Sequence, residues 1–90
     1  MTKEADFYKR EYLSLTEREK ETMALDSDTS AETLLKLAFD PSEKVRALVG
    51  INKNTPKVIL MELKNDSSIL VQRTATYNLN GRRDKNKKIN

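Results

Sequence analysis

The chain contains no cysteine and no histidine. The first absence rules out disulfides and thiolate nucleophiles. Together the two remove most zinc sites and the side chain that most often moves protons near neutral pH. No serine has a histidine partner, and no pair of carboxylates is set among apolar neighbours, so the sequence offers no nucleophilic or general acid/base centre. An enzyme is not expected, and no catalytic residue, cofactor or metal ligand is assigned. Long apolar runs are missing as well: the longest, Val58-Ile59-Leu60-Met61, has four residues, and Met1 to Asp6 has no apolar stretch. No transmembrane helix or signal peptide is expected, which together with the absent cysteines points to the cytoplasm.

What is present is a 90-residue chain, 37% apolar and 34% charged. That length suits one small domain, and that balance suits short amphipathic helices. The net charge is +3, but it is unevenly placed. Residues 81–90 carry Arg82, Arg83, Lys85, Lys87 and Lys88 against Asp84, or +4, which leaves −1 for the first 80 residues. A nearly neutral body argues against nucleic acid as its main partner, although the basic end keeps that reading as the alternative.

An offset of 26 residues aligns the chain with itself. Thr29 meets Thr55, Leu34 meets Leu60, Leu37 meets Leu63 and Asp40 meets Asp66. Ser42, Val45, Asn52 and Asn54 likewise meet Ser68, Val71, Asn78 and Asn80, giving eight identities in 26 positions without a gap. A partial third copy precedes them, with Asp26 to Thr29 matching Asn52 to Thr55, and Met23 and Leu25 matching Val49 and Ile51. The division that follows is a cap and partial repeat over 1–28, repeats over 29–54 and 55–80, and a tail over 81–90.

Each unit reads as two short helices. Thr29-Ser30-Ala31-Glu32 has capping-box form, followed by Leu34, Leu37 and Ala38 on one face. Asp40-Pro41 reads as an N-cap and first-turn proline opening a helix with Val45, Leu48 and Val49 inward. In the second unit, Thr55-Pro56 caps a helix with Ile59, Leu60 and Leu63 inward, and Asp66-Ser67-Ser68 opens one with Val71, Thr74 and Ala75 inward. Before them, Thr16 to Glu19 is another capping box, opening a helix that turns Met23 to the core. Phe7, Tyr8, Tyr12, Leu13 and Leu15 suggest an aromatic-rich end helix. Helices are expected near 4–14, 17–24, 30–39, 41–50, 56–65 and 67–76. Helices of about ten residues are marginal alone, so they must stack. The tail, with Ile89 its one aliphatic residue, is expected to be disordered.

The run Val45-Arg46-Ala47-Leu48-Val49-Gly50-Ile51-Asn52-Lys53-Asn54-Thr55-Pro56 resembles the signature of the leucine-rich repeat variant family, a HEAT-like helical repeat. The resemblance covers about residues 16–80. In the second unit Gln72 replaces the arginine, and Leu79-Asn80-Gly81 replaces the closing turn. It implies an all-α, short right-handed helical-repeat stack with an N-terminal capping helix and a disordered basic C-terminal tail. Some members carry an iron–sulfur cluster on cysteines, which this chain lacks. The size, the Lys/Asn-rich composition and the Asn-x-Asn-Thr units also resemble T-even bacteriophage lysis-inhibition accessory proteins. Those act in the cytoplasm with the soluble part of a holin, a membrane protein.

These features imply a protein-protein interaction module. Its expected partner-binding residues are Tyr8, Tyr12, Lys36, Arg46 and Lys53, with Arg82, Arg83, Lys85, Lys87 and Lys88 as an electrostatic tail. Each has a structural alternative. Tyr8 and Tyr12 are an exposed anchor or part of the cap's core, and Arg46 reaches a partner's carboxylate or phosphate or, the favoured reading, bonds turn carbonyls and Asp40 in its own unit. Asn52, Asn54, Asn78 and Asn80 are read as turn and capping residues that tolerate left-handed backbone, rather than as a ligand ladder. Asp26-Ser27-Asp28 does not start a calcium loop, because Ala31 and Leu37 stand where glycine and glutamate are required. An open repeat end leaves room for a partner helix or a second copy of the chain.

Overall fold

The computed structural model describes Tyr12 and residues 14–87, with side chains through Arg82. Five α-helices follow in order: α1 (Glu17–Leu25), α2 (Ala31–Ala38), α3 (Glu43–Ile51), α4 (Lys57–Leu63) and α5 (Ile69–Lys87). No strand occurs among the described residues. The helix expected over 4–14 lies outside the described residues except for Tyr12, which is helical, and Ser14, which is in a turn.

Local chemistry sets where these helices begin. Thr16 caps α1 with a full capping box, accepting from the Glu19 N–H while its own N–H donates to Glu19 Oε1. The next starts differ from those expected. Ser30, not Thr29, caps α2 by accepting from the Thr33 N–H, and Ser42, not Asp40, caps α3 by accepting from the Val45 N–H. Asp40 instead folds the preceding turn, its Oδ1 accepting the Ser42 N–H at 2.9 Å. Ser68 and Asp66 repeat that pair at the start of α5. Thr29 and Thr55, expected as caps, send their hydroxyls back to the Met23 and Val49 carbonyls, each at 2.7 Å. The α4 cap position falls to Pro56, which makes no side-chain cap bond.

The helices bury one continuous apolar cluster. Leu34, Leu37, Ala38, Val45, Val49, Ile59, Leu60, Leu63, Val71 and Ala75 lie on the faces expected to turn inward, joined by Ala24 and Ala47. Leu48 and Thr74, also expected inward, are half-buried. Helices α1, α3 and α5 pack in succession, and α4 packs on α5. At the α3–α5 contact a Cβ on Gly50 would lie 2.2 Å from Thr74 Oγ1, so only glycine permits this approach of the two helices.

Polar contacts between segments recur at the sequence offset. Asn52 donates from Nδ2 to the Ala24 and Asp26 carbonyls at 2.8 and 3.0 Å, and Asn78 does the same to the Gly50 and Asn52 carbonyls at 2.9 and 3.0 Å. Ser42 donates to Glu17, and Ser68 to Glu43. The asparagines thus join neighbouring segments through their side chains. No described residue has positive φ, so the left-handed backbone expected of them is not used.

The C-terminal boundary also differs from expectation. Helix α5 does not stop near residue 76 but runs through Gly81 to Lys87, so residues 81–87 of the expected disordered tail are helical. Arg82 contributes to this by donating to Asn78 Oδ1 one turn back and to the Lys53 and Thr55 carbonyls of the α3–α4 turn, at 3.1, 2.7 and 2.8 Å. Gly81 sits in this helix with no atom within 4 Å of the place a Cβ would occupy. Gly81→Ala is therefore expected to raise stability by up to about 1 kcal/mol, through helix propensity alone. Thermal melting of the variant checks this; a lower melting temperature would show that position 81 is not an open helical site.

Candidate docking groove

Four positions of α5, Thr74, Tyr77, Asn78 and Gly81, share one face at helical spacing. Beside them stand Ile51, at the end of α3, and Lys53 of the following turn. Together with Arg73 and Arg82 these residues line a groove of about 740 Å³. Its apolar parts are exposed: Ile51 is 51% and Tyr77 83% accessible. Leu25, at the end of α1, is also 51% accessible, so Leu25, Ile51 and Tyr77 form a series of exposed apolar residues at the 26-residue offset. Leu35 and Met61 form a second, shorter series.

The groove's charge has one sign. Among the described side chains, Lys53, Arg73 and Arg82 line it and no carboxylate does. Arg82 is held by the carbonyls and the asparagine named above, whereas Lys53 and Arg73 have no carboxylate partner among the described residues. Gly81, the last of the four α5 positions, adds no side chain to the lining, and a Cβ there would meet no atom within 4 Å.

On another part of the surface, two carboxylates each hold a cation twenty positions earlier in the chain. Asp40 accepts Lys20 Nζ at 2.8 Å and the Tyr12 hydroxyl at 2.6 Å, and Lys20 lies 5.1 Å from the centre of the Tyr12 ring. Asp66 receives Arg46 through Nε and one terminal nitrogen at 2.9 and 3.1 Å, and the other terminal nitrogen of Arg46 donates to the Asp40 and Pro41 carbonyls. At the corresponding position in the last unit, Gln72 donates to the Asp66 carbonyl. Burial works to raise the Asp40 carboxyl, but hydrogen bonds from Lys20, Tyr12 and the Ser42 N–H outweigh it and hold its pKa below the ordinary 3.8. Asp66 is lowered in the same way, with burial opposed by Arg46 and the Ser68 N–H. Desolvation, followed by the hydrogen bond to Asp40 and that carboxylate's charge, raises the Tyr12 phenol above its ordinary 10.0.

A pH dependence follows from the two depressed carboxylates. The unfolded chain takes up their protons first, so their stabilisation is complete above the ordinary carboxylate pKa and is lost as pH falls through the lower folded values. Urea midpoints are expected to fall steeply on acidification below about pH 4, a reference carboxylate value, and Asp66→Asn should flatten that fall. An unchanged acid limb in the variant would show that the Arg46 pairing does not govern it.

The described residues among those expected from sequence to bind a partner are not brought together. Tyr12 packs against the core and is engaged with Asp40, which is the core alternative. Arg46 is turned inward and bridges to the next unit's Asp66 as well as to its own turn. Lys36 is exposed in the last turn of α2 and does not line the groove. Of those described, Lys53 lines the groove, and Arg82 of the basic end does. Tyr8 and Lys88 lie outside the described residues, as do the side chains of Arg83, Lys85 and Lys87. Ile51, Arg73, Tyr77 and Gly81 were not singled out by sequence. The available signal was the offset itself, which carries Leu25 and Ile51 on to Tyr77. No cluster of three metal-ligating side chains occurs among the described residues, and no described helix is long and apolar enough to cross a membrane. Compared with protein-family models, curated proteins and solved structures, the chain matches none.

Proposed function

We propose that the chain is a non-enzymatic protein-binding module, a short stack of HEAT-like helical repeats of the leucine-rich repeat variant kind, acting in the cytoplasm. The observation that carries the reading is the series Leu25, Ile51 and Tyr77, apolar in three successive copies and exposed in each. A position that stays apolar without being buried serves contact with another molecule better than it serves the fold. The recurring asparagine and serine contacts support the repeat reading, since each links one segment to the next in the same way. In its most specific form the module is a bacteriophage lysis-inhibition accessory protein, and its partner the soluble segment of a holin.

The test sets protein against nucleic acid. Affinity capture from the native cytoplasm should retain a defined protein, and Ile51→Asp should release it. Binding to random DNA should be weak, with little dependence on salt. A steep loss of tight DNA binding as salt rises, with no protein retained, would instead favour a nucleic-acid-binding repeat protein that uses its basic C-terminal end.

A further inference from the structure

We infer that the α3–α5 groove seats an acidic amphipathic helix of a partner protein, and that Gly81 is the residue that keeps the seat open. This rests on the protein-binding reading above and names the chemistry of the partner at that surface. Positions 74 to 81 of α5 run for about 10 Å at 1.5 Å per residue, two turns of helix, with Ile51 facing them from the end of α3. A helix laid along such a floor presents apolar side chains at i, i+3 or i+4, and i+7, which match its length. Ile51 and Tyr77 supply the apolar contact, and their exposure of 51% and 83% shows that nothing else in the described chain covers them.

Charge selects among amphipathic helices. Among the described side chains the lining carries three cations and no carboxylate, and Lys53 and Arg73 have no acidic partner there. Glutamate or aspartate flanking an apolar ridge would meet this rim, whereas lysine there would meet like charge. A phosphate backbone would use the cations but leave Ile51 and Tyr77 uncovered. A flat anionic membrane would not enter a concave site.

Gly81 makes the inference testable without disturbing the core. Its Cβ position is open and its backbone helical, so Gly81→Leu adds a bulky side chain to the groove lining while placing a good helix former in α5. Tyr77→Ser removes an exposed ring and serves as the second variant. The probes are a fluorescent leucine–glutamate amphipathic helical peptide, a leucine–lysine peptide of the same pattern, random DNA, and vesicles containing anionic phosphatidylglycerol. Anisotropy should show binding of the acidic peptide and not the basic one. Gly81→Leu and Tyr77→Ser should each weaken it about tenfold or more, in the range of an interface anchor, with melting temperatures held. The double charge reversal Lys53→Glu with Arg73→Glu should transfer preference to the basic peptide.

Failure of the acidic peptide to bind, equal binding of both peptides, or indifference to Gly81→Leu would overturn the groove assignment. So would binding confined to DNA or to vesicles. A protein captured from the cytoplasm whose retention ignores Gly81→Leu but responds to Leu35→Asp would overturn the groove while leaving the protein-binding reading intact, so the two fail separately.

Discussion

Leu37→Ala and Leu63→Ala are each expected to destabilise the protein by about 2 to 5 kcal/mol, as loss of a buried leucine and the cavity left behind generally do. The two positions are equivalent under the 26-residue offset and are 0% and 2% accessible. Both lie on the inner layer, Leu37 in α2 and Leu63 in α4, against a cluster that includes Val45, Val49 and Val71. A chain this small has a total stability of about 5 to 15 kcal/mol at most, so either change removes a large share of it. Urea denaturation measures the effect, and Val58→Ala provides the reference, since Val58 is 73% accessible and should change little. Losses below about 0.5 kcal/mol at both leucines, the size of an ordinary surface substitution, would mean that the inward face has been misassigned.

Asn52 should be the most sensitive polar position. It is 4% accessible, its amide nitrogen serves the Ala24 and Asp26 carbonyls, and its Oδ1 accepts the Asn54 N–H at 2.8 Å. Asn52→Ala leaves three backbone groups without these partners. A single orphaned buried group costs about 1 to 3 kcal/mol, so a loss near or above the upper value is expected. Asn52→Asp should be at least as damaging, because a carboxylate oxygen would replace the donor facing two carbonyls. Asn54→Ala, whose side chain reaches the exposed Ser27 carbonyl, should cost much less. Denaturant midpoints of the three variants give the ordering, and a similar loss at 52 and 54 would refute the bridging role of Asn52.

The apolar positions were legible in the sequence because burial leaves a periodic trace. Leu34, Leu37, Val45, Ile59, Leu60 and Val71 follow helical spacing, and the offset doubles the signal. The caps were legible to within one or two residues. In Asp40-Pro41-Ser42 and Asp66-Ser67-Ser68 two residues can each cap, and the choice was settled by tertiary contacts: Tyr12 and Lys20 occupy one oxygen of Asp40, leaving Ser42 for the helix. The end expected near residue 76 falls short of the helix, because Arg82 is anchored to carbonyls 27 and 29 residues away that no local pattern reveals. The groove was hidden for a related reason. Tyr77 is the third member of an apolar series, and sequence shows that such a position persists but not that it stays uncovered.

The Asn78, Arg46 and Arg82 contacts also bear on how the chain reaches its structure. Every hydrogen bond named above spans 29 residues or fewer, and each helix finds its partners no further along the chain than the next helix but one. Loop-closure entropy is modest over such distances, and low contact order belongs to proteins that fold on the order of microseconds to milliseconds. The N-terminal segments have most of their partners before α5 emerges during synthesis, so the structure can be assembled in the direction in which it is made.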